Sequence, residues 1–279
     1  MLACRRCSDA FESEEMKDIE RLRIVIVGAG NLATSLACAM VHAGLSVVQI
    51  YSRTDVSACR LAKRVGCAST DDLGKVADAD LYVIAVTDTA IAEVIPPLAG
   101  LHRGAVFCHT AGSVPMSVFG AAGVTDYGVL YPMQTFSKAR IVDFAQVQLF
   151  VEYSSPRAGE VMTAVAGRLT RHVHEADTAT RCRLHIAAVF TCNFANRLYA
   201  LAERILADGG LPFGVMLPLI DETVAKVHRL SPSQAQTGPA SRGDMAIVTQ
   251  HLDMLEGDEE MRQIYEMMTK SIINGRNQS

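Results

Sequence analysis

The stretch RIVIVGAGNLATSLACAM at residues 23–40 constrains the fold more than any other part of the chain. A run of Ile and Val leads directly into Gly28 and Gly30, and small and apolar residues with helical spacing follow. With Ala33 these glycines form the pattern G-x-G-x-x-A. The first glycine permits a tight turn, the second lets the backbone approach a pyrophosphate, and the small third residue lets helix and strand pack closely. The pattern predicts a dinucleotide site; a glycine turn used only for packing is the alternative.

The residues around this turn are those expected to hold the cofactor. The helix that begins near Asn31 would offer free N–H groups and its positive dipole end to phosphates. The second strand ends at Ser52-Arg53-Thr54 and has no Asp or Glu for a ribose 2′-hydroxyl. Because Arg53 can hold a 2′-phosphate through bidentate hydrogen bonds, NADP is favoured, with NAD as the alternative cofactor. The predicted cofactor-binding residues are Gly28, Gly30, Asn31, Leu32, Ala33, Ser52, Arg53, Thr54, Val86, Thr87 and Asp88.

The order of strand-like and helix-like segments predicts an α/β fold. Buried strand patterns alternate with helical ones up to residue 176, which indicates crossovers and a doubly wound parallel sheet. The segment TDDLGKVA reads as a helix, and IAEVIPPLAG as a helix broken late by its two prolines. From residue 178 the pattern is helical with little strand signal, which predicts an all-α C-terminal domain. We therefore divide the chain into a disordered leader (1–20), a nucleotide-binding domain (21–176) and a helical domain (177–279).

Composition excludes several classes of function. The 279 residues carry a net charge of −4 without a visible basic face, which argues against nucleic acid as a partner. No apolar run reaches the roughly 18 residues needed to span a bilayer. The scattered cysteines indicate a reducing, cytoplasmic setting. Cys4 and Cys7 form a C-x-x-C without a second ligand pair, so no metal site is expected.

Six segments carry a family resemblance, in the order GAGNLA, AVTDTAI, HTAG, YPMQTF, LHIAAVFTCNFANRLYALA and TGPASRGD. Together they resemble the DUF2520-type family of Rossmann-like NADP oxidoreductases. That family is similar to pyrroline-5-carboxylate reductases and to β-hydroxyacid dehydrogenases such as 6-phosphogluconate dehydrogenase. The resemblance implies an N-terminal Rossmann domain, a helical domain of the kind that often dimerises, and reductive chemistry.

The resemblance leaves the catalytic residue open. Tyr131 stands in YPMQTF where many family members have His. Residues 178–210 contain no Lys, although β-hydroxyacid dehydrogenases place a catalytic Lys on the first helix after the Rossmann domain. His185 is the nearest ionisable residue of similar position, and we predict it as the proton donor. His109, at the end of the fifth strand, and Asn193 are predicted to place substrate and nicotinamide. A purely structural role is the alternative for all three.

Two further residues are candidates for substrate contact. Gln134 lies in YPMQTF, and Arg242 in TGPASRGD can clamp a carboxylate or can equally pair with Asp or Glu. Asp244 is well placed to cap the next helix.

These features predict a cytoplasmic NADP-dependent oxidoreductase. It would move hydride between the nicotinamide and a carbonyl or imine carbon of a small anionic metabolite. The alternative is a non-catalytic NADP-binding sensor or assembly protein. The last four helices carry more Leu, Ile and Met than one thin helical layer can bury, which predicts a homodimer formed mainly by residues 177–279.

Overall fold

The computed structural model describes residues 21–276, so the predicted leader with Cys4 and Cys7 lies outside the described residues. The described chain forms two compact units, which divide between Cys192 and Asn193. The first unit is built on an eight-stranded sheet with the order β3-β2-β1-β4-β5-β6-β7-β8. Its strands are β1 (Arg23–Val27), β2 (Ser46–Tyr51), β3 (Ala68–Thr70), β4 (Leu81–Ile84), β5 (Val106–His109), β6 (Tyr127–Met133), β7 (Gln148–Tyr153) and β8 (Val173–Glu175).

Helices cover both faces of this sheet. They are α1 (Asn31–His42), α2 (Asp55–Val65), α3 (Asp88–Leu101), α4 (Ser117–Gly120) and α5 (Pro156–Leu169), and α6 (Thr178–Ala188) follows β8. Because side chains alternate along a strand, Ile24 and Ile26 share one core cluster with α1 and α5. Val25 and Val27 belong to a second cluster on the opposite face, with residues of α3. The predicted α/β class with a doubly wound sheet is confirmed.

The sheet departs from the prediction at its far edge. Strands β1 to β6 are parallel, but β7 runs antiparallel to β6, with Leu130 opposite Val151. A parallel return needs a crossover, which is usually a helix. The connection between Met133 and Gln148 contains only a 3₁₀ turn at Phe144–Gln146, so the chain comes back alongside β6. Strand β8 is parallel to β7, and the last two strands therefore run against the rest.

Two predicted helices also differ from the structure. The segment TDDLGKVA forms only a 3₁₀ turn at Leu73–Lys75, which the Asp72 side chain caps. Helix α3 continues through Pro96 and Pro97 instead of breaking before them. A proline removes the hydrogen bond to the carbonyl four residues earlier. The carbonyls concerned belong to Ala92 and Glu93, which are exposed, so water can replace the lost N–H groups.

The second unit is helical throughout. It contains α7 (Ala195–Asp208), α8 (Leu217–Val227), α9 (Pro232–Ala235), α10 (Pro239–Arg242), α11 (Met245–Met254) and α12 (Glu259–Arg276), with a 3₁₀ turn at Phe213–Met216. Arg197 and Arg204 on α7 pair with Glu260 and Asp258 at 2.8 and 2.6 Å. Asp244 accepts from the Ile247 N–H, which confirms the predicted cap.

One continuous helical run links the two units. Helix α6 passes into a π-helical segment at Val189–Phe194 and then into α7, in agreement with the helical pattern that the sequence shows from residue 178. The predicted boundary at residues 176–177 marks the change of secondary structure. The first unit extends past that point and includes α6. Within residues 21–276 no helix combines the length and the hydropathy that crossing a membrane requires.

Candidate functional site

A cleft of about 410 Å³ opens at the carboxyl ends of β1, β2 and β4. The strand register brings these ends to one level, since Val27 is opposite both Tyr51 and Ile84. Strand order reverses at β1, and in open α/β sheets ligands bind at such a point. The cleft is lined by Gly28, Ala29, Gly30, Asn31, Leu32, Tyr51, Ser52, Arg53, Thr54, Ser57, Ala85, Val86, Thr87, Ala90 and Val94.

The two glycines of the turn differ in what surrounds the position of a Cβ atom. Gly28 has a φ of +128°, and a Cβ there would lie 2.3 Å from the Ala85 carbonyl oxygen, so the fold itself requires glycine. Gly30 has an ordinary φ of −75°, and a Cβ there would meet no protein atom within 4 Å. The space that Gly30 leaves therefore lies open to the cleft.

The start of α1 adds unpaired donors to the cleft. The N–H groups in the first turn of a helix have no intrahelical acceptor. Gly30 is the N-cap of α1 and has no side chain that could accept from them. Ala33, the third small residue of the pattern, is fully buried in α1 and allows its close packing on the sheet. Together the open space at Gly30 and the free N–H groups fit a pyrophosphate.

Arg53 supplies positive charge at the end of β2. The side chain is exposed, lines the cleft beside Ser52 and Thr54, and forms no ion pair with another described residue. Among residues 21–276, no acidic side chain lines this cleft. The arrangement suits a phosphate on the adenosine ribose better than a bare 2′-hydroxyl.

Asp88 lies outside the cleft lining, unlike Val86 and Thr87. It begins α3, and its carboxylate accepts a hydrogen bond of 2.6 Å from the Ser113 hydroxyl. Asp88 therefore connects α3 to the segment 110–114, which follows β5 and which we call the β5 loop.

His109 lies beneath the β5 loop and is fully buried. Its ring stacks on Phe119, and its Nδ1 accepts the Ala111 N–H at 3.2 Å. Burial lowers the pKa of His109 to about 4, and the nearby Arg181 cation acts in the same direction. His109 is therefore a neutral packing group that supports the β5 loop from below.

His185 contacts the other side of the same loop. Its Nδ1 lies 3.3 Å from the Tyr131 hydroxyl, and the two rings meet edge to face. A Cβ on Gly112 would lie 2.7 Å from this Nδ1, so glycine is needed for the imidazole to sit there. Tyr131 is buried, and burial raises the pKa of its hydroxyl.

Arg181, one helical turn before His185, holds the β5 loop to α6. Its fully buried guanidinium donates to the carbonyls of Ala111, Gly112 and Val114 at 2.9 to 3.0 Å. It also pairs with Glu152 on β7 at 2.6 Å. Sequence reasoning missed this residue, because nothing local distinguishes it from the exposed Arg183.

The remaining predicted residues lie elsewhere. Asn193 is exposed in the π-helical segment, and Gln134 is exposed after β6, where its Oε1 accepts the Thr135 N–H. Arg242 is exposed at the end of α10 and forms no ion pair with a described residue. No group of three or more His, Cys, Asp or Glu within residues 21–276 is placed to hold a metal.

Two family models match the chain. A Rossmann-like domain matches residues 9–135, and a domain of unknown function (DUF2520) matches residues 147–272. A search of curated proteins finds no match.

Several solved structures resemble the whole chain. The putative NADP oxidoreductase of Bacteroides fragilis is 48% identical, with a TM-score of 0.88, over 92% of this chain and 99% of that one. A Thermotoga maritima protein is 20% identical, with a TM-score of 0.68, over 91% and 98%. The imine reductase of Myxococcus stipitatus, solved with NADP+, is 18% identical, with a TM-score of 0.62, over 90% and 92%. At these lower identities the likeness concerns the fold.

Proposed function

The chain belongs to the family of Rossmann-like proteins with a DUF2520 domain, and on that premise we propose that it is an NADP-dependent oxidoreductase. The cleft at the ends of β1, β2 and β4 carries the proposal. It combines N–H groups without an intrahelical acceptor, open space at Gly30 and the Arg53 cation, which has no ion-pair partner within residues 21–276. The name of the B. fragilis relative, an NADP oxidoreductase, agrees with it.

The residues around the cleft would divide the cofactor between them. Gly30, Asn31 and Leu32 would hold the pyrophosphate, and Ser52, Arg53 and Thr54 the 2′-phosphate, with Val86 and Thr87 along the path. Replacing Arg53 by Ala should weaken NADP binding by about 1.5–3 kcal/mol, the range for a hydrogen bond to a charged group, and leave NAD binding almost unchanged. Calorimetric titration with both cofactors measures this.

A control variant makes that titration specific. Arg64→Ala removes an exposed guanidinium from the last turn of α2, away from the cleft lining, and should change neither affinity. Equal losses for NADP and NAD in Arg53→Ala would rule out a 2′-phosphate contact.

Reduction of a carbonyl or imine also needs a proton donor. Bound NADPH would supply the hydride, so the protein has to supply the proton within about 3 Å of the new oxygen or nitrogen charge. We assign this role to His185. His109, which has no exposed surface, would act only by supporting the β5 loop. Asn193, Gln134 and Arg242 are proposed contacts for nicotinamide and for a small anionic substrate.

NADPH oxidation with a panel of oxo acids and imines tests the activity. With a substrate in hand, His185→Ala should lower kcat by about 10²–10⁴-fold, the usual contribution of general acid catalysis, while NADPH affinity stays at the wild-type value. Full turnover by the variant would exclude His185 as the donor. Tight NADP binding without turnover of any panel member would instead favour a sensor.

We further propose a cytoplasmic homodimer. The cysteines of the described residues are all free thiols, which agrees with a reducing compartment. Large apolar side chains are exposed along the helices of the second unit, among them Leu219, Met254 and Met267. A second copy of the chain would cover them.

A further inference from the structure

The two nitrogens of the His185 ring have different neighbours in the structure. Its Nδ1 edge meets the Tyr131 hydroxyl at 3.3 Å and the backbone at Gly112. Its Nε2 has no hydrogen-bond partner among the described residues, and the side chain is half-buried. The two nitrogens therefore have different surroundings, and a neutral imidazole carries its proton on only one of them.

The chemistry of the pair decides which nitrogen that is. A phenol is a better acid than it is a base, and an imidazole nitrogen is a good acceptor, so the favourable bond runs from the Tyr131 O–H to Nδ1. Burial keeps the phenol protonated at neutral pH by raising its pKa. No other acceptor for the Tyr131 hydroxyl is present among the described residues.

We propose that Tyr131 is a positioning residue that holds His185 as the Nε2–H tautomer and supplies the proton that replaces the one His185 gives up. This inference rests on the proposed function, in which His185 is the donor. The Nε2–H bond breaks as the proton moves to the substrate oxygen or nitrogen. The Tyr131 O–H bond breaks as its proton moves to Nδ1, so the imidazole stays neutral.

The second transfer depends on the groups around Tyr131. The step leaves a tyrosinate, which takes a proton back from solvent after the product has formed. Burial and the Asp88 carboxylate raise the pKa of the Tyr131 hydroxyl and so oppose that anion, whereas the Arg181 cation lowers this pKa and offsets part of the cost. Arg181 also donates to the Gly112 carbonyl, which keeps the β5 loop against the imidazole.

Nitrogen-15 NMR of the histidine rings in the full chain without cofactor tests the tautomer directly. His185 is assigned by the signals that disappear in His185→Gln. In the wild type we expect an unprotonated, pyridine-like Nδ1 and a protonated, pyrrole-like Nε2. In Tyr131→Phe we expect averaged signals of both tautomers. The phenyl ring still packs against Phe150, so the variant should fold, and its melting temperature checks this.

Tyr153→Phe is the matched control. It removes a hydroxyl that donates to Glu175 on the same sheet, and it should leave the His185 signals unchanged. A protonated Nδ1 in the wild type, or an unchanged tautomer in Tyr131→Phe, would overturn the proposal. Neither result depends on turnover, so the NMR measurement tests the tautomer of His185 even if the proposed function is wrong.

A kinetic arm uses the oxo acid or imine that the wild type reduces. Tyr131→Phe should lower kcat by roughly tenfold to hundredfold, less than the loss of His185 itself, with KM and NADPH affinity unchanged. Full kcat in Tyr131→Phe would overturn the relay. A rise in KM alone would show that Tyr131 touches the substrate and would also overturn it.

Discussion

Gly28 and Gly30 stand two positions apart in one motif, yet they are required for different reasons. Gly28→Ala would place a Cβ 2.3 Å from a backbone oxygen at a φ that L residues avoid. Overpacking and backbone strain each cost about 1–3 kcal/mol, so we expect a loss of about 2–6 kcal/mol in the free energy of unfolding. Gly30→Ala should change it by less than about 1 kcal/mol and still abolish NADP binding.

Denaturant unfolding and cofactor titration of both variants separate the two roles. If Gly30→Ala binds NADP as the wild type does, the pyrophosphate does not pass over this residue.

His109 makes the folded state sensitive to acid. The unfolded chain takes up a proton on this imidazole below its ordinary pKa of about 6.5, whereas the buried ring resists protonation down to a pKa of about 4. Stability is therefore lost as the pH falls through that window, by at most about 3 kcal/mol. His109→Gln does not titrate and can still accept from Ala111. Its free energy of unfolding should fall less steeply between pH 6.5 and 4.

The difference between the two proteins in how steeply the free energy of unfolding falls with pH reports on His109, because the wild type and His109→Gln have the same carboxylates. Parallel pH curves for wild type and His109→Gln would contradict the assigned burial effect.

Among the elements, α6 depends on a buried ion pair. Removing Arg181 leaves the Glu152 carboxylate with only the neutral N–H and hydroxyl of Thr178 as donors, and it leaves three loop carbonyls without the guanidinium. Breaking such a pair costs about 3–5 kcal/mol, and we expect this loss in the free energy of unfolding of Arg181→Met. The double variant Arg181→Met/Glu152→Gln should recover part of it, since the uncompensated charge is gone. Chemical denaturation of the three proteins measures the coupling.

The exposed pair of Arg197 and Glu260 provides a control. Arg197→Met should cost about 0–1 kcal/mol, as surface pairs do. If Arg181→Met also lost only about 0–1 kcal/mol in the free energy of unfolding, water would have access to the guanidinium.

The same elements show how far the sequence alone predicts this fold. The strand–turn–helix of residues 23–42 follows from local periodicity and glycine spacing, and so does the cap at Asp244. The direction of β7 does not, since it depends on which neighbour the strand meets. Arg181 is likewise defined by a partner 29 positions away in the sequence. The site residues remain predictions, because their roles depend on ligands.

For the whole molecule, the exposed apolar side chains of the second unit predict a dimer. Light scattering should give twice the chain mass of 30.1 kDa at micromolar concentration. Leu219→Glu places a charge on α8, where the side chain is 62% exposed, and should give the monomer mass. Leu101→Glu alters a leucine on α3 of the first unit that is 56% exposed, and this variant should remain dimeric. A wild-type mass of 30.1 kDa throughout the concentration range would exclude the dimer.

The contacts of Arg181 with Glu152 and the β5 loop, which we call the Arg181 clamp, also determine where a chimera of this chain and a relative can be joined. A crossover at residue 177, where strands give way to helices, would separate Glu152 and the β5 loop from their own guanidinium. Glu152 would then come from one parent and residue 181 from the other, and a buried charge that loses its partner is strongly destabilising. A crossover after Cys192, between the compact units, keeps the clamp and its histidine together. Chimeras joined there exchange the helical half while inheriting an intact first unit.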